Sequence, residues 1–237
     1  MPKLFQSCLL IFIVAVSGCA SLVKTSPTYE TSIKQFKTIA VMPADIQVYK
    51  LSAGGTRELI DEWSNTSKKY FAEGLQKHLG GRFGLQIKYP DEDTLKKDIP
   101  VLWKENKGLY YAVSNSILMH AYPGPSVFPA KIKKFDYTFG PEIQPLSQAL
   151  GADALLFIYG IDHEATMGWI FMSALEQGLF GVYYIVPCGM TMALVNGTTG
   201  DVEWYKTTPM GMEYSFKSQK HMDILAEWMT RDFIKTK

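Results

Sequence analysis

Pro145–Asp162 reads PLSQALGADALLFIYGID, and the division of this stretch decides the fold. The first residues carry a short helical pattern that stops at Gly151, a residue suited to the left-handed conformation of a helix C-cap. Asp153 then opens a strand. From Ala154 to Ile161 the chain is an almost unbroken apolar run, too short for a buried helix and typical of a central strand covered on both faces. Such a strand needs neighbours on both edges and helices above and below it.

The neighbours lie on either side in sequence. TIAVMP, Thr38–Pro43, is short, partly β-branched and stopped by proline, so it is predicted as a first core strand. Runs 38–42 and 154–161 are of a length to lie side by side. A loop containing Gly54-Gly55 leads to a predicted amphipathic helix over 57–79. Leu59, Ile60, Trp63, Ser67, Tyr70, Phe71, Gly74, Leu75, His78 and Leu79 recur there at three- and four-residue spacing before Gly80-Gly81. LQIKY, Leu85–Tyr89, alternates as an edge strand would. Downstream, MTMALVNGTTGDVEWYKT alternates on both sides of Asn196-Gly197 and Gly200-Asp201, which predicts a hairpin. The last segment is a predicted helix over 218–235, with Ser218 as N-cap and Met222, Leu225, Ala226, Met229 and Phe233 on one face. The expected architecture is α/β: a mixed β-sheet flanked by helices.

Two segments exceed this frame. Residues 91–140 combine a helical pattern in Leu109, Tyr110, Val113, Ile117 and Ala121 with a proline-rich, basic and aromatic loop, and are read as an inserted helical region. Residues 165–189 form an apolar insertion before the hairpin, with Glu176 as the only charge between Glu164 and Asp201. Three readings are open for the second segment. It fills the core, it meets lipid or a partner, or it spans a bilayer. Gly178, Gly181, Pro187 and Gly189 interrupt it and weigh against spanning.

The amino terminus concerns location. Residues 1–18 carry Lys3, an apolar stretch from Leu9 to Val16 and then small residues, as a secretory signal peptide does. Val16-Ser17-Gly18-Cys19 resembles the bacterial lipobox, in which the cysteine is acylated with palmitate-type chains and becomes the new amino terminus. The other reading is an ordinary secreted protein with an incidental cysteine. Each buried acyl methylene contributes about 0.8 kcal/mol, so two or three chains would anchor the protein stably. Ala20, by resemblance to enterobacterial lipoproteins, points to the outer membrane, with the domain facing the periplasm. Residues 19–36, mostly polar with Pro27 among them, are expected to be a tether of about 20–25 Å as a coil and at most about 60 Å extended. That leaves 37–237 as a single domain.

Loss of Lys3 would reduce the 24 basic residues to 23, against 23 acidic, so no global field steers the chain to nucleic acid. A hydrophobic fraction of 47% is ample for a core. Of three cysteines, Cys8 lies in the leader and Cys19 in the lipobox, so Cys188 has no disulfide partner and is expected to be a quiet core thiol.

With KTIAVMP first, LGADALLFIYG in the middle and LVNGTTGDVEW near the end, the chain resembles a group of bacterial envelope proteins. The group includes the curli secretion lipoprotein, the amino-terminal domain of TolB and the lipoprotein activator of a peptidoglycan synthase. The resemblance implies an anticodon-binding-domain-like sandwich of sheet and helices and a place in an envelope assembly. The curli channel builds its barrel from paired amphipathic strands, and no such alternating pairs are found here, which argues against a pore.

Chemistry is sparse. His78, His120, His163 and His221 lack metal-ligand spacing and no C-x-x-C occurs, so no metal or cofactor is expected. Asp162-His163-Glu164 would put both carboxylates on one face of a strand and the imidazole on the other, as a solvated strand end does. Ser21-Leu22-Val23-Lys24 matches S-x-x-K by chance in the tether. Gly54-Gly55 lacks the rest of a phosphate-binding loop. No catalytic residue is assigned. Candidate partner or membrane contacts are Trp169, Phe171, Phe180, Tyr183 and Tyr184 in the apolar segment, and Lys131, Lys133, Lys134 and Phe135 in the basic, aromatic loop, which is otherwise a solvated face. These observations predict a non-enzymatic, lipid-anchored accessory protein of an envelope complex, with a protein partner or self-association. The alternatives are an oligomeric component of a secretion or export channel and, third, an envelope hydrolase.

Overall fold

A computed structural model describes residues 22–80, 84–122, 126–181, 188–209 and 214–233. Its strands are β1 (Val23–Thr25), β2 (Thr38–Val41), β3 (Asp45–Leu51), β4 (Arg57–Leu59), β5 (Gln86–Lys88), β6 (Ala154–Ala165), β7 (Gly189–Asn196) and β8 (Val202–Thr207). The helices are α1 (Tyr29–Gln35), α2 (Asp61–Leu79), α3 (Glu92–Asp98), α4 (Pro100–His120), α5 (Pro129–Lys133), α6 (Gln144–Leu150), α7 (Met167–Phe180) and α8 (Gln219–Thr230). All described strands join one mixed sheet that does not close into a barrel, as the sequence led us to expect.

The sheet is organised around β6. On one edge β7 runs antiparallel to it, from Ala154 opposite Asn196 to Ile161 opposite Gly189. On the other edge two parallel strands follow each other: β2 beside Ala154–Leu156, then β3 beside Tyr159–Ala165. Pro43, which has no N–H to donate, lies in the break between them. β5 adds to β2 in parallel, β8 to β7 and β1 to β8 antiparallel, and β4 forms a hairpin with β3.

Alternation along the strands divides the core into two layers. Ile39, Val41, Leu156, Ile158, Met192 and Trp204 face α2 and α8. Ala40, Leu155, Phe157, Ala193, Val195 and Tyr205 face α4 and the 135–146 region. This double cover is why the first half of β6 is apolar at every position, whereas only alternate residues are buried beyond Ile158. The two helices on the first face cross closely at Gly74, where an added Cβ would lie 2.7 Å from that of Ala226. The expected left-handed cap is present, with Gly151 at φ +55.

Four expectations change. The stretch read as a tether is folded from Val23 onward, because β1 pairs with β8 and Tyr29 is buried with its hydroxyl donating to the Phe233 carbonyl. Residues 45–51, read as loop, form β3. The long helix starts at Asp61, not 57, since Arg57–Leu59 pair with Leu51–Tyr49. The final helix, expected over 218–235, ends at Thr230.

Candidate membrane or partner contact

The apolar insertion becomes a helix that the body does not cover. β6 ends at Ala165, and the Thr166 N–H bonds to the Leu51 carbonyl at 2.9 Å, fixing the exit point against β3. The Thr166 hydroxyl then accepts from the Trp169 N–H at 3.2 Å and caps α7. Gly168 lies against Ala53, where an added Cβ would meet Ala53 Cβ at 3.1 Å. Met, Leu, Ala, Gln and Glu, none of them branched at Cβ, favour the helix, and Gly181 closes it with φ +65.

No residue of α7 is buried. Met167 is 80% exposed, Phe171 68%, Leu179 65% and Phe180 74%, with Ile170, Met172 and Leu175 also exposed. Taking side-chain areas near 200 Å², the exposed apolar surface of these seven side chains is on the order of 800 Å², above the roughly 300–600 Å² of the largest patch on a typical monomer. A helix apolar on all sides is normally buried by something. Core filling is therefore excluded for residues 167–180. α7 by itself does not span: it has 14 residues, about 21 Å long against a hydrocarbon core near 30 Å, and residues 182–187 of the same segment lie outside the described residues. Among the described residues no helix is long and apolar enough to cross a membrane. Trp169, Phe171 and Phe180 thus lie on this helix; Tyr183, Tyr184 and Cys19 lie outside the described residues.

The basic loop separates into two parts. Phe135 is only 5% exposed and packs in the second core layer beside Tyr137 and Tyr205, so it is a core residue and no contact residue. The aromatic–basic pattern could not reveal this, because much of its cover, Tyr205 of β8 included, comes from elements distant in sequence. Lys131 and Lys134 pair with Asp136, whose carboxyl is held below its ordinary range first by the hydrogen bond from Lys131. Lys133 is exposed. The lysines therefore form a solvated rim on α5 and its C-cap, which the structure does not bring together with α7 into one cluster.

Asp162 is 4% exposed, contrary to a solvated strand end. It accepts the Phe216 N–H at 2.8 Å and the Cys188 thiol at 3.1 Å. Glu164, one pleat repeat along, accepts from the Ser215 hydroxyl and pairs with Lys217 at 3.7 Å. Both carboxylates share a face, as period two requires, and together they clamp residues 215–217. His163 points the other way and stacks on Tyr49 at 5.3 Å. Burial, reinforced by the Asp162 charge, pushes the Cys188 thiol up to about 12, so it is a proton donor and a poor nucleophile.

Other polar groups in the core that the sequence reading passed over are also used internally. Glu203, 1% exposed, accepts from Ser26 and Thr28, and Lys206, equally buried, binds the Trp228 carbonyl and Asp232. Their only sequence signal is a charge at an inward or edge-covered position of an apolar hairpin strand. A groove of about 510 Å³ between α4 and Tyr159 is lined by Tyr111, Ser114, Asn115 and Leu118, with no charged side chain in its lining. Among the described residues no three His, Cys, Asp or Glu side chains converge as metal ligands.

No protein-family model and no curated protein sequence matches the chain. In structure it is similar to the PelC dodecamer of Paraburkholderia phytofirmans, with a TM-score of 0.35 and 9% identity over 88% of this chain and 91% of that one. A second crystal form, of a PelC point variant from the same organism, gives a TM-score of 0.33 at 9% identity, covering 82% and 86%. Lipoprotein GNA1162 from Neisseria meningitidis gives 0.30 at 12% identity, covering 83% and 96%. These likenesses are too distant to decide either fold or function.

Proposed function

We propose that this chain is a lipid-anchored accessory protein of the bacterial cell envelope that works by contact, as an assembly or regulatory module, and not by catalysis. The observation that carries the reading is α7, an apolar helix displayed on a body whose own core is complete. Displaying it costs solubility, and an occupant that buries it offsets that cost. Support comes from the lipobox at Cys19 and from the internal use of Asp162, Glu164 and Cys188, the groups with the clearest chemical potential. The outer membrane, facing the periplasm, is the proposed location. The test is intact-mass analysis of the protein isolated from its native envelope. Loss of residues 1–18 and an acylated Cys19 are expected; a free thiol or a retained leader would refute the anchor.

A second reading, an oligomeric component of an export channel, draws on the same helix, because copies could bury α7 against one another. Size determination in detergent separates the two. A uniform ring supports the channel, and a monomer removes it.

A further inference from the structure

We infer that α7 lies in the surface of the same bilayer leaflet that holds the acyl chains of Cys19, as a second, non-covalent membrane contact. The inference rests on the lipid anchor proposed above and commits the exposed helix to one occupant, lipid. Strand order provides the argument. Leu22, Thr207, Thr191 and Tyr159 form one row across β1, β8, β7 and β6. Thr207 pairs with Thr191 and Thr191 with Tyr159, while the Leu22 carbonyl accepts the Thr207 N–H at 3.2 Å and the Tyr122 hydroxyl at 3.0 Å.

β8 and β6 run in the same direction, and β1 runs against them. The start of β1 therefore lies at the end of the sheet towards which β6 continues to Ala165 and α7. Cys19 is three residues before Leu22, within about 11 Å of it. The two exits are separated laterally by three strand spacings, about 14 Å.

An acyl group at Cys19 thus brings this edge of the sheet to the bilayer, and α7 is the most apolar element on that edge. A tether of 18 residues would leave the orientation of the body free. The folded segment from Val23 leaves only a few residues of slack, so the anchor itself directs α7 at the surface. At about 21 Å, and apolar but for Ser173, Glu176 and Gln177, α7 is long enough to lie in the interfacial plane and too short to span.

The test has two arms. In the first, native lipoprotein is reconstituted into vesicles of phosphatidylethanolamine and phosphatidylglycerol containing brominated lipid, and its tryptophan fluorescence is compared with that of Trp169→Phe. Quenching that disappears with Trp169 is expected; equal quenching in both proteins would overturn the inference. In the second, the chain without residues 1–18 and with Cys19→Ser is floated with the same vesicles. Flotation is expected, weakened at least about tenfold by Phe171→Asp with Phe180→Asp, since aspartate costs far more than phenylalanine in lipid. Because these side chains are outside the core, an unchanged melting temperature shows that the variant is folded.

No flotation, or flotation that ignores the two aspartates, overturns the inference even if intact mass confirms the anchor. Self-association that shields Trp169 without vesicles also overturns it, in favour of a second copy. Flotation of the non-acylated chain alongside a free native Cys19 would sink the anchor and with it the shared-leaflet geometry.

Discussion

Replacing Ser26 and Thr28 by alanine tests whether the amino-terminal segment is part of the fold. Both hydroxyls donate to one oxygen of Glu203, Thr28 at 3.0 Å, and that residue is 1% exposed. The double substitution would leave the carboxylate with the Asn196 amide at 3.3 Å as its remaining side-chain partner. A hydrogen bond to a charged group is worth about 1.5–3 kcal/mol. Thr28 is itself exposed, so water replaces part of its contribution, and the expected cost is about 3 kcal/mol. For a domain of this size that lowers the melting temperature by about 6–12 °C. Glu203→Gln in the same background should recover part of the loss, with a coupling of at least about 1 kcal/mol, because an amide is far cheaper to leave underbonded than a carboxylate. Calorimetry of the four proteins gives the cycle. A fall within about 2 °C, as at an ordinary surface site, would refute the packing of residues 22–36 and with it the short reach of the anchor.

Phe135→Ala should cost about 3–5 kcal/mol in urea unfolding as a core truncation, whereas Lys133→Ala should stay within about 0.5 kcal/mol. Cys188 should be alkylated about a thousandfold more slowly than a thiol at its ordinary 9.0, since the thiol is pushed up to about 12; rates with a maleimide at fixed pH measure this. Burial raises the phenols of Tyr29, Tyr110, Tyr122 and Tyr205 above their ordinary 10.0. In the unfolded chain these phenols ionise near 10 while the folded chain keeps its protons, so their contribution is fully present below pH 10 and is lost as pH rises beyond it. Phenolate absorbance and urea midpoints should show cooperative alkaline unfolding; independent ionisation of these tyrosines near pH 10 in the folded protein would contradict their burial.

Some features of this fold are local and can be read from the chain alone. The almost unbroken apolar run from Ala154 to Ile161 reads as a strand, covered on both faces over its first half, and Gly151 before it can take the positive φ that ends a helix. The hairpin around residues 197–201 and the Ser218 cap, which accepts the His221 N–H, are of the same kind. They are legible because backbone preference and periodicity act within a few residues.

Other features belong to tertiary structure. β3 alternates over Asp45–Val48, a signal the sequence reading passed over, but its place in the sheet comes only from pairing with the far half of β6. The polar segment at 22–36 looks like a linker until Glu203, some 175 residues away, accepts its hydroxyls. Phe135 is buried by elements distant in sequence, Tyr205 of β8 among them, and no residue of α7 is buried in the fold. An apolar run shows that a segment avoids water, but not what shelters it. The apolar helix was visible in the chain; that β1 begins and β6 ends at the same end of the sheet depends on strand order and direction, which no local pattern contains.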